Sequence, residues 1–149
     1  MPGDYQNIYK IPRKAAGLTQ EAAAERLDIS VESIRAYETG QRIPPNEVVE
    51  GMSILYNDLR LPFKHIRDLN GLYRSVVPAV EDKSIIEATT KLVNRIFDFA
   101  DSHADRRLLR IAEDNVIDTS ERVEFDAIME DLGEIVEAAL ELRCAGGSQ

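Results

Sequence analysis

GLTQEAAAERLDISVESIRAYETGQRIPP, residues 17–45, is the stretch of sequence that decides the fold. Thr19 stands before a helix-favouring run, 20–27, where its side-chain oxygen can accept a hydrogen bond from a free amide of the first turn. Ser30 stands in the same relation to a second run, which extends to about Glu38. The pattern predicts two short helices joined by a tight turn, which is the layout of a DNA-binding helix-turn-helix.

The turn and the exit of this motif carry their own signals. Asp28 lies at the turn, where it can adopt the left-handed backbone conformation more readily than most residues. Gly40 provides a C-terminal stop, and Pro44–Pro45 prevents the helix from continuing. Ile34 and Tyr37 are spaced i, i+3 in the second helix, so we expect both to face the core.

These residues resemble the Xre/Cro family of phage-repressor-like helix-turn-helix domains. The resemblance rests on AGLTQEAAAERLDIS, on SIRAYETGQR and on the prolines that follow, and it covers about residues 7–58, roughly a third of the chain. It implies a sequence-specific DNA-binding transcriptional regulator, repressor-like, of the kind common in bacteria and phages. Some members of the family bind proteins instead, so a protein-interaction module with weak or no DNA binding is the alternative.

The resemblance assigns DNA contacts to two segments of the motif. Gln20 opens the first motif helix and is expected to hold a backbone phosphate, because the free amides and the dipole of a helix N-terminus favour an anion. The second helix, 30–38, is expected to enter the major groove. Base edges are implied for Val31, Glu32 and Ala36, and phosphates or flanking backbone for Ser33, Arg35, Gln41 and Arg42.

The first predicted helix contains a charge that matches a family ion pair and a proline that does not suit a helix interior. Arg13 and Glu38 match residues that tie the first helix to the recognition helix; the alternative is two solvated charges. Pro12 either delays the start of the first helix or kinks it, so we expect helix on both sides of Pro12 with a disturbance there.

Charge is distributed unevenly along the chain and does not by itself indicate a nucleic-acid binder. The 149 residues carry 18 basic and 27 acidic side chains, a net charge of −9. Residues 1–60 have a net charge of −2, and residues 61–149 a net charge of −7. DNA binding therefore requires a local basic face on the motif. The candidates are Lys10, Arg13, Lys14, Arg35 and Arg42.

The rest of the chain reads as helical, so the sequence predicts an all-α protein. We expect a five-helix repressor-like helix-turn-helix domain over 5–75 and a C-terminal helical hairpin or bundle over 84–143. The further predicted helices are 46–56, opened by Pro45; 62–73, with Phe63, Ile66 and Leu69 inward; one from Ser84 to about Ala100; 103–110; and about 120–143, capped by Thr119 or Ser120.

The last predicted helix has apolar residues at alternating spacings of three and four. The seam comprises Phe125, Ile128, Leu132, Ile135, Ala139 and Leu142. One interpretation is an amphipathic helix packed inside its own bundle. The other is a dimer interface, formed by Phe125, Ile128, Leu132, Ile135 and Leu142, in an antiparallel or mixed bundle because the opposite face is acidic. We expect a homodimer that reads a palindromic operator in double-stranded DNA.

Catalytic and metal-binding patterns are weak in this sequence. His65 and His103 have no cysteine or histidine partner at ligand spacing and read as helix-surface residues. Residues 114–121 resemble half of a calcium loop, but Arg110 falls where the first oxygen ligand is required, so the segment reads as a turn between helices. We expect no enzyme, no metal and no cofactor.

The remaining patterns bear on compartment and partners. No apolar run approaches the roughly 20 residues of a membrane helix, and no signal peptide is recognisable. The single cysteine, Cys144, fits a reduced compartment. We therefore expect a cytoplasmic protein, nucleoid-associated when DNA-bound, with a protein partner for the acidic C-terminal helix as a second option.

Overall fold

The protein is all-α, as the sequence predicts. A computed structural model describes residues 7–69 and 71–147, and within them there are nine helices and no strand. The helices are α1 (Lys10–Ala15), α2 (Gln20–Leu27), α3 (Val31–Glu38), α4 (Asn46–Leu55), α5 (Leu61–Leu69), α6 (Gly71–Val76), α7 (Ile85–Asp101), α8 (Ala104–Ile111) and α9 (Arg122–Gly146).

Contacts between the helices divide the chain into two compact units. The helix-turn-helix unit ends at Glu81 and contains α1 to α6, and the C-terminal unit runs from Asp82 to Gly146 and contains α7 to α9. Residues 5 and 6, at which the expected first domain begins, lie outside the described residues. So does residue 70, which fell within a predicted helix.

The first four helices begin and end where local chemistry dictates. The Thr19 hydroxyl oxygen accepts a hydrogen bond from the Ala22 amide, and the Ser30 hydroxyl oxygen accepts one from the Ser33 amide. Asp28 has a φ of 53° and therefore closes α2 in the left-handed conformation. These details confirm the predicted motif boundaries.

The first helix corrects the expectation for Pro12. Pro12 is the third residue of α1, which already begins at Lys10. Proline is tolerated in the first turn of a helix, and the amides of Ile11 and Arg13 on either side of it still donate to the carbonyls of Asn7 and Tyr9, so α1 does not start late. Asn7 stabilises the start of the helix, because its side-chain oxygen accepts hydrogen bonds from the amides of Tyr9 and Lys10.

One apolar core fills the helix-turn-helix unit. Ile34 and Tyr37 are buried on the inner face of α3, as predicted. The buried cluster comprises Tyr9, Ala23, Ala24, Ile34, Tyr37, Val49, Met52, Tyr56 and Leu61. It draws on α2, α3 and α4 together, so α3 is held with its opposite face turned to solvent.

The inward face of α5 differs from the prediction. Leu61 and His65 are buried, whereas Ile66 and Leu69 are 39% and 38% exposed. His65 is thus not a surface residue: its Nδ1 lies 2.8 Å from the Tyr9 hydroxyl. A polar ring can be buried when it is hydrogen-bonded, and this rotation of α5 follows from a partner far away in sequence.

The C-terminal unit is a long helix pair with α8 packed against one end. Ser84 and Glu87 form a reciprocal capping box at the start of α7, which confirms the predicted cap. Before α9, Asp118 Oδ1 accepts hydrogen bonds from the amides of Ser120 and Glu121. Helix α9 begins at Arg122, so Glu121 stands directly before it, and the predicted cap at Thr119 or Ser120 is wrong by one or two residues.

Among the helices of residues 7–69 and 71–147, none combines the length and the apolar character that a membrane span requires.

Candidate nucleic-acid interface

Helix α3 exposes one face because its other face is locked into the core. Ile34 is fully buried and Tyr37 is 5% exposed. Glu32 and Arg35, which lie on the opposite side of the helix, are exposed, and Ser33 and Ala36 are half-buried. The outer face of α3 therefore presents short side chains together with one acid and one base, a mixture that can make directional hydrogen bonds.

The position of Val31 differs from that of its neighbours. Its side chain is partly buried and packs against the apolar core of the unit. Only part of it is therefore open to a ligand, such as the methyl group of a thymine.

A buried ion pair connects α1 to α3. Arg13 donates from Nε to Glu38 Oε1 at 2.5 Å and from Nη2 to Glu38 Oε2 at 2.9 Å. Arg13 also donates from Nη1 to the Leu18 carbonyl at 2.6 Å. This bidentate ion pair fixes the direction of α3 relative to α1.

The pair holds Glu38 in its charged form. Burial would raise the pKa of Glu38, but hydrogen bonds from Arg13 and Gln20 outweigh that effect and lower the pKa below its ordinary value. Since Arg13 is 5% exposed and bound to a carboxylate, its charge is neutralised internally. Arg13 therefore does not contribute to the expected basic face, which is left to Lys10, Lys14, Arg35 and Arg42.

Gln20 joins the buried pair to the exposed face. Its Nε2 donates to Glu38 Oε2 at 2.9 Å, and its Oε1 accepts from Arg35 Nε at 3.3 Å. Arg35 also lies 3.7 Å from a carboxylate oxygen of Glu21. One amide thus orients an exposed arginine, an arrangement that sequence spacing alone did not indicate because the residues are 15 and 18 positions apart.

Arg42 folds back onto α3 from the loop that follows it. Its backbone amide donates to the Ala36 carbonyl, its guanidinium carbon lies 5.0 Å from the centre of the Tyr37 ring, and its Nη2 donates to Ser33 Oγ at 2.6 Å. The arginine is nevertheless exposed. Stacking orders the side chain while leaving other N–H groups free to bind an anion. Gln41, beside it, is exposed as well.

The predicted contact residues thus fall into two pairs and four single positions. The structure brings Gln20 together with Arg35, and Ser33 together with Arg42. One contact to α3 was not predicted from the sequence. Asn7 donates from Nδ2 to the Tyr37 carbonyl at 2.8 Å and so connects the chain before α1 to α3. An asparagine three residues before the first residue of a helix was the available signal.

The seam predicted for dimerisation lies on α9 and is partly used within its own unit. Ile128 is 1% exposed and forms a buried cluster with Ala104 and Ile111 of α8. Phe125 and Leu132 pack against that cluster. The two remaining members, Ile135 and Leu142, are half-buried.

No metal centre accompanies these sites in residues 7–69 and 71–147. No group of three or more histidine, cysteine, aspartate and glutamate side chains is placed there to hold an ion.

Comparison with known proteins locates one similarity. Residues 13–62 match the model of the helix-turn-helix family, a segment that extends from Arg13 in α1 to Pro62 in α5. No curated protein matches the chain, and no solved structure does.

Proposed function

We propose that the chain is a sequence-specific, repressor-like transcriptional regulator that reads a DNA major groove with α3. The match of residues 13–62 to the helix-turn-helix family model supports this proposal. The observation that carries the proposal is the outer face of α3, where exposed Glu32 and Arg35 lie beside the ordered Ser33–Arg42 pair. Such a face can insert between phosphates and address base edges.

Phosphates are proposed to bind at both ends of this face. Gln20 lies at the N-terminus of α2, where free amides favour an anion, and its side chain already positions Arg35. Arg42 is ordered by Tyr37 and keeps an exposed guanidinium. Phosphate contacts of this kind fix the register of a protein on DNA but carry no sequence information.

Glu32 is proposed to supply selectivity. It is exposed in the first turn of α3, where a carboxylate can accept a hydrogen bond from the amine of cytosine and repels phosphates that lie out of register. Val31 and Ala36 offer small apolar surface beside it.

The phosphate role of Arg42 is tested by a salt titration. Arg42→Ala should weaken binding to all sequences about equally and reduce the slope of log affinity against log salt by about one. Arg26→Ala is the matched control, because Arg26 is an exposed arginine of the same unit at the far end of α2. Equal slopes for Arg42→Ala and the unchanged protein would rule out the phosphate contact.

The role of Glu32 is tested by selection from a random DNA library. Glu32→Gln should raise nonspecific affinity and flatten the preference among sites, because the repulsive charge is removed while the shape is kept. Glu25→Gln is the control, since Glu25 is an exposed acid of α2. Recovery of one identical motif by the Glu32→Gln variant and the unchanged protein would remove Glu32 from base recognition.

A protein-interaction module is the second candidate, and one observation favours it. Arg13 is neutralised by Glu38, and Arg35 lies close to Glu21, so the motif presents little uncompensated positive charge. On this view α3 or the acidic α9 binds a protein. The library selection separates the two candidates, because an interaction module would enrich no DNA motif.

We further propose that the regulator binds a palindromic operator as a homodimer, through residues 84–143, in the cytoplasm. One recognition helix of eight residues makes few base contacts, and two-fold pairing doubles them. The protein would be nucleoid-associated while bound.

A further inference from the structure

Helix α7 has an apolar face that its own unit leaves uncovered. Five large apolar side chains there are between 41% and 71% exposed, and Ala100 is exposed with them. They are Ile85, Ile86, Val93, Ile96 and Phe97. At 100° per residue, Ile86, Val93, Phe97 and Ala100 fall within one narrow stripe that runs almost the full length of the helix.

Ion pairs join α7 to α9 away from this stripe. Lys91 donates to Glu137 and to buried Glu141 of α9, and Arg95 pairs with Glu134 of α9. On the inner side of α7, Ala88 is fully buried and Phe99 packs against the cluster of Ala104, Ile111 and Ile128. Helix α7 therefore has apolar residues on its inner side and a second apolar stripe that is exposed to solvent.

The exposed stripe matches what a symmetric dimer needs. The five side chains leave on the order of 500 Å² of apolar surface per protomer, so a pair would bury about 1,000 Å², the lower bound of a specific interface. The chain carries a net charge of −9, so two copies repel each other over most of their surfaces. A charge-free face is where a second copy can approach without that penalty.

We propose that the exposed face of α7, which we call the α7 stripe, is the dimer interface, and that it pairs antiparallel with the α7 stripe of a second copy around Val93. Antiparallel pairing centred there sets Ile86 opposite Ala100, and Thr89 opposite Phe97. At these two levels a large side chain meets a smaller one, and Val93 meets itself on the two-fold axis. Parallel pairing would instead set Phe97 against Phe97 and Ile86 against Ile86.

The α7 stripe, and not the α9 seam, is then the surface that dimerises. Ile128, at the centre of the α9 seam, is already buried by α8. The inference deepens the dimeric regulator proposed above, and the association is measured without DNA. Failure of DNA binding and failure of this interface are therefore separate results.

Analytical ultracentrifugation tests the interface. The unchanged chain should be a dimer at tens of micromolar. Val93→Asp and Phe97→Asp should be monomers that circular dichroism shows to be folded. Their dimer dissociation constants should rise on the order of 100-fold or more, because a carboxylate would be buried in an apolar contact. Met129→Asp, at an exposed apolar position of α9, is the control and should stay a dimer. A monomeric unchanged chain, or a dimer that only Met129→Asp disrupts, would overturn the proposal.

Cysteine cross-linking tests the orientation independently of any destabilising substitution. In a Cys144→Ser background, Val93→Cys should cross-link to itself on mild oxidation. Ile86→Cys and Ala100→Cys should each remain uncross-linked alone and should cross-link to each other when the two variants are mixed. Self-cross-linking by Ile86→Cys would indicate parallel pairing and overturn the antiparallel arrangement. Failure of every position to cross-link would overturn the α7 interface.

Discussion

The helix-turn-helix unit and the C-terminal unit differ in how many apolar side chains they bury. The first gathers nine buried apolar residues around α3 and lets polar side chains tie its helices together. The second buries a cluster of only three, Ala104, Ile111 and Ile128, and leaves the apolar side of α7 in solvent. A unit of some 65 residues can rarely build a large core alone, so the second unit has surface to share with a partner.

Both units bury a carboxylate, and the comparison extends to how well each is satisfied. Glu38 has both oxygens hydrogen-bonded, by Arg13 and Gln20. Glu141 is equally buried, but Lys91 contacts only Oε2, and Oε1 has no partner among the described atoms. The first arrangement specifies one geometry at the point where α3 is positioned. The second is a single ion pair between α7 and α9 that leaves one carboxylate oxygen without a partner among the described atoms.

The largest expected effect follows from breaking the better-satisfied pair. Arg13→Met should destabilise the helix-turn-helix unit by about 3–5 kcal/mol, because it leaves Glu38 charged and buried without its cation. Thermal denaturation followed by circular dichroism measures this. Arg26→Met, at an exposed position, should change stability by no more than about 0.5 kcal/mol. Equal midpoints for the two variants would show that the pair does not hold α1 to α3.

A smaller but still large effect tests the C-terminal core. Ile128→Ala should cost about 2–5 kcal/mol, because it removes one of the few fully buried side chains of that unit. The neighbouring Met129→Ala is the control, since Met129 is 45% exposed and lies outside the cluster. Greater destabilisation by Met129→Ala, measured by urea unfolding, would mean that α9 is rotated relative to the arrangement described.

The smallest effect is a pH dependence that distinguishes the helix-turn-helix unit. Burial lowers the pKa of His65 below its ordinary value of 6.5, so the unfolded chain binds a proton more readily than the folded one. The free energy of unfolding should therefore fall as pH drops below about 6.5. A second loss should begin below about 4.5, because the pKa of Glu38 is also lowered.

Denaturation at a series of pH values measures both losses. His65→Gln should flatten the dependence between pH 6.5 and 5 and leave the lower-pH loss in place. If the slope between pH 6.5 and 5 were unchanged in this variant, His65 would not be its source.

The parts of the fold that the sequence predicts correctly are those that depend on near neighbours. Thr19 and Ser30 cap helices through amides three residues away, and Asp28 turns the chain by its own backbone conformation. The inward face of α3 followed from the spacing of Ile34 and Tyr37. Each of these is decided within about one helical turn.

The parts that were predicted wrongly depend on distant residues or on competition between neighbours. The pattern placed Ile66 and Leu69 inward, but α5 is rotated so that His65 meets Tyr9, 56 positions earlier. Helix α9 begins at Arg122, later than predicted, after a turn in which Asp118 accepts hydrogen bonds from the amides of Ser120 and Glu121.

The sequence by itself determined the helices of the motif, their order and which residues of α3 face outward, because capping and helical periodicity are local interactions. Only the tertiary structure decided how the charges are used. It linked Gln20 to Arg35, stacked Arg42 on Tyr37 and left the α7 stripe exposed. These outcomes depend on the packing of helices that are distant in sequence, and the spacing of residues along one helix does not encode which neighbour it will meet.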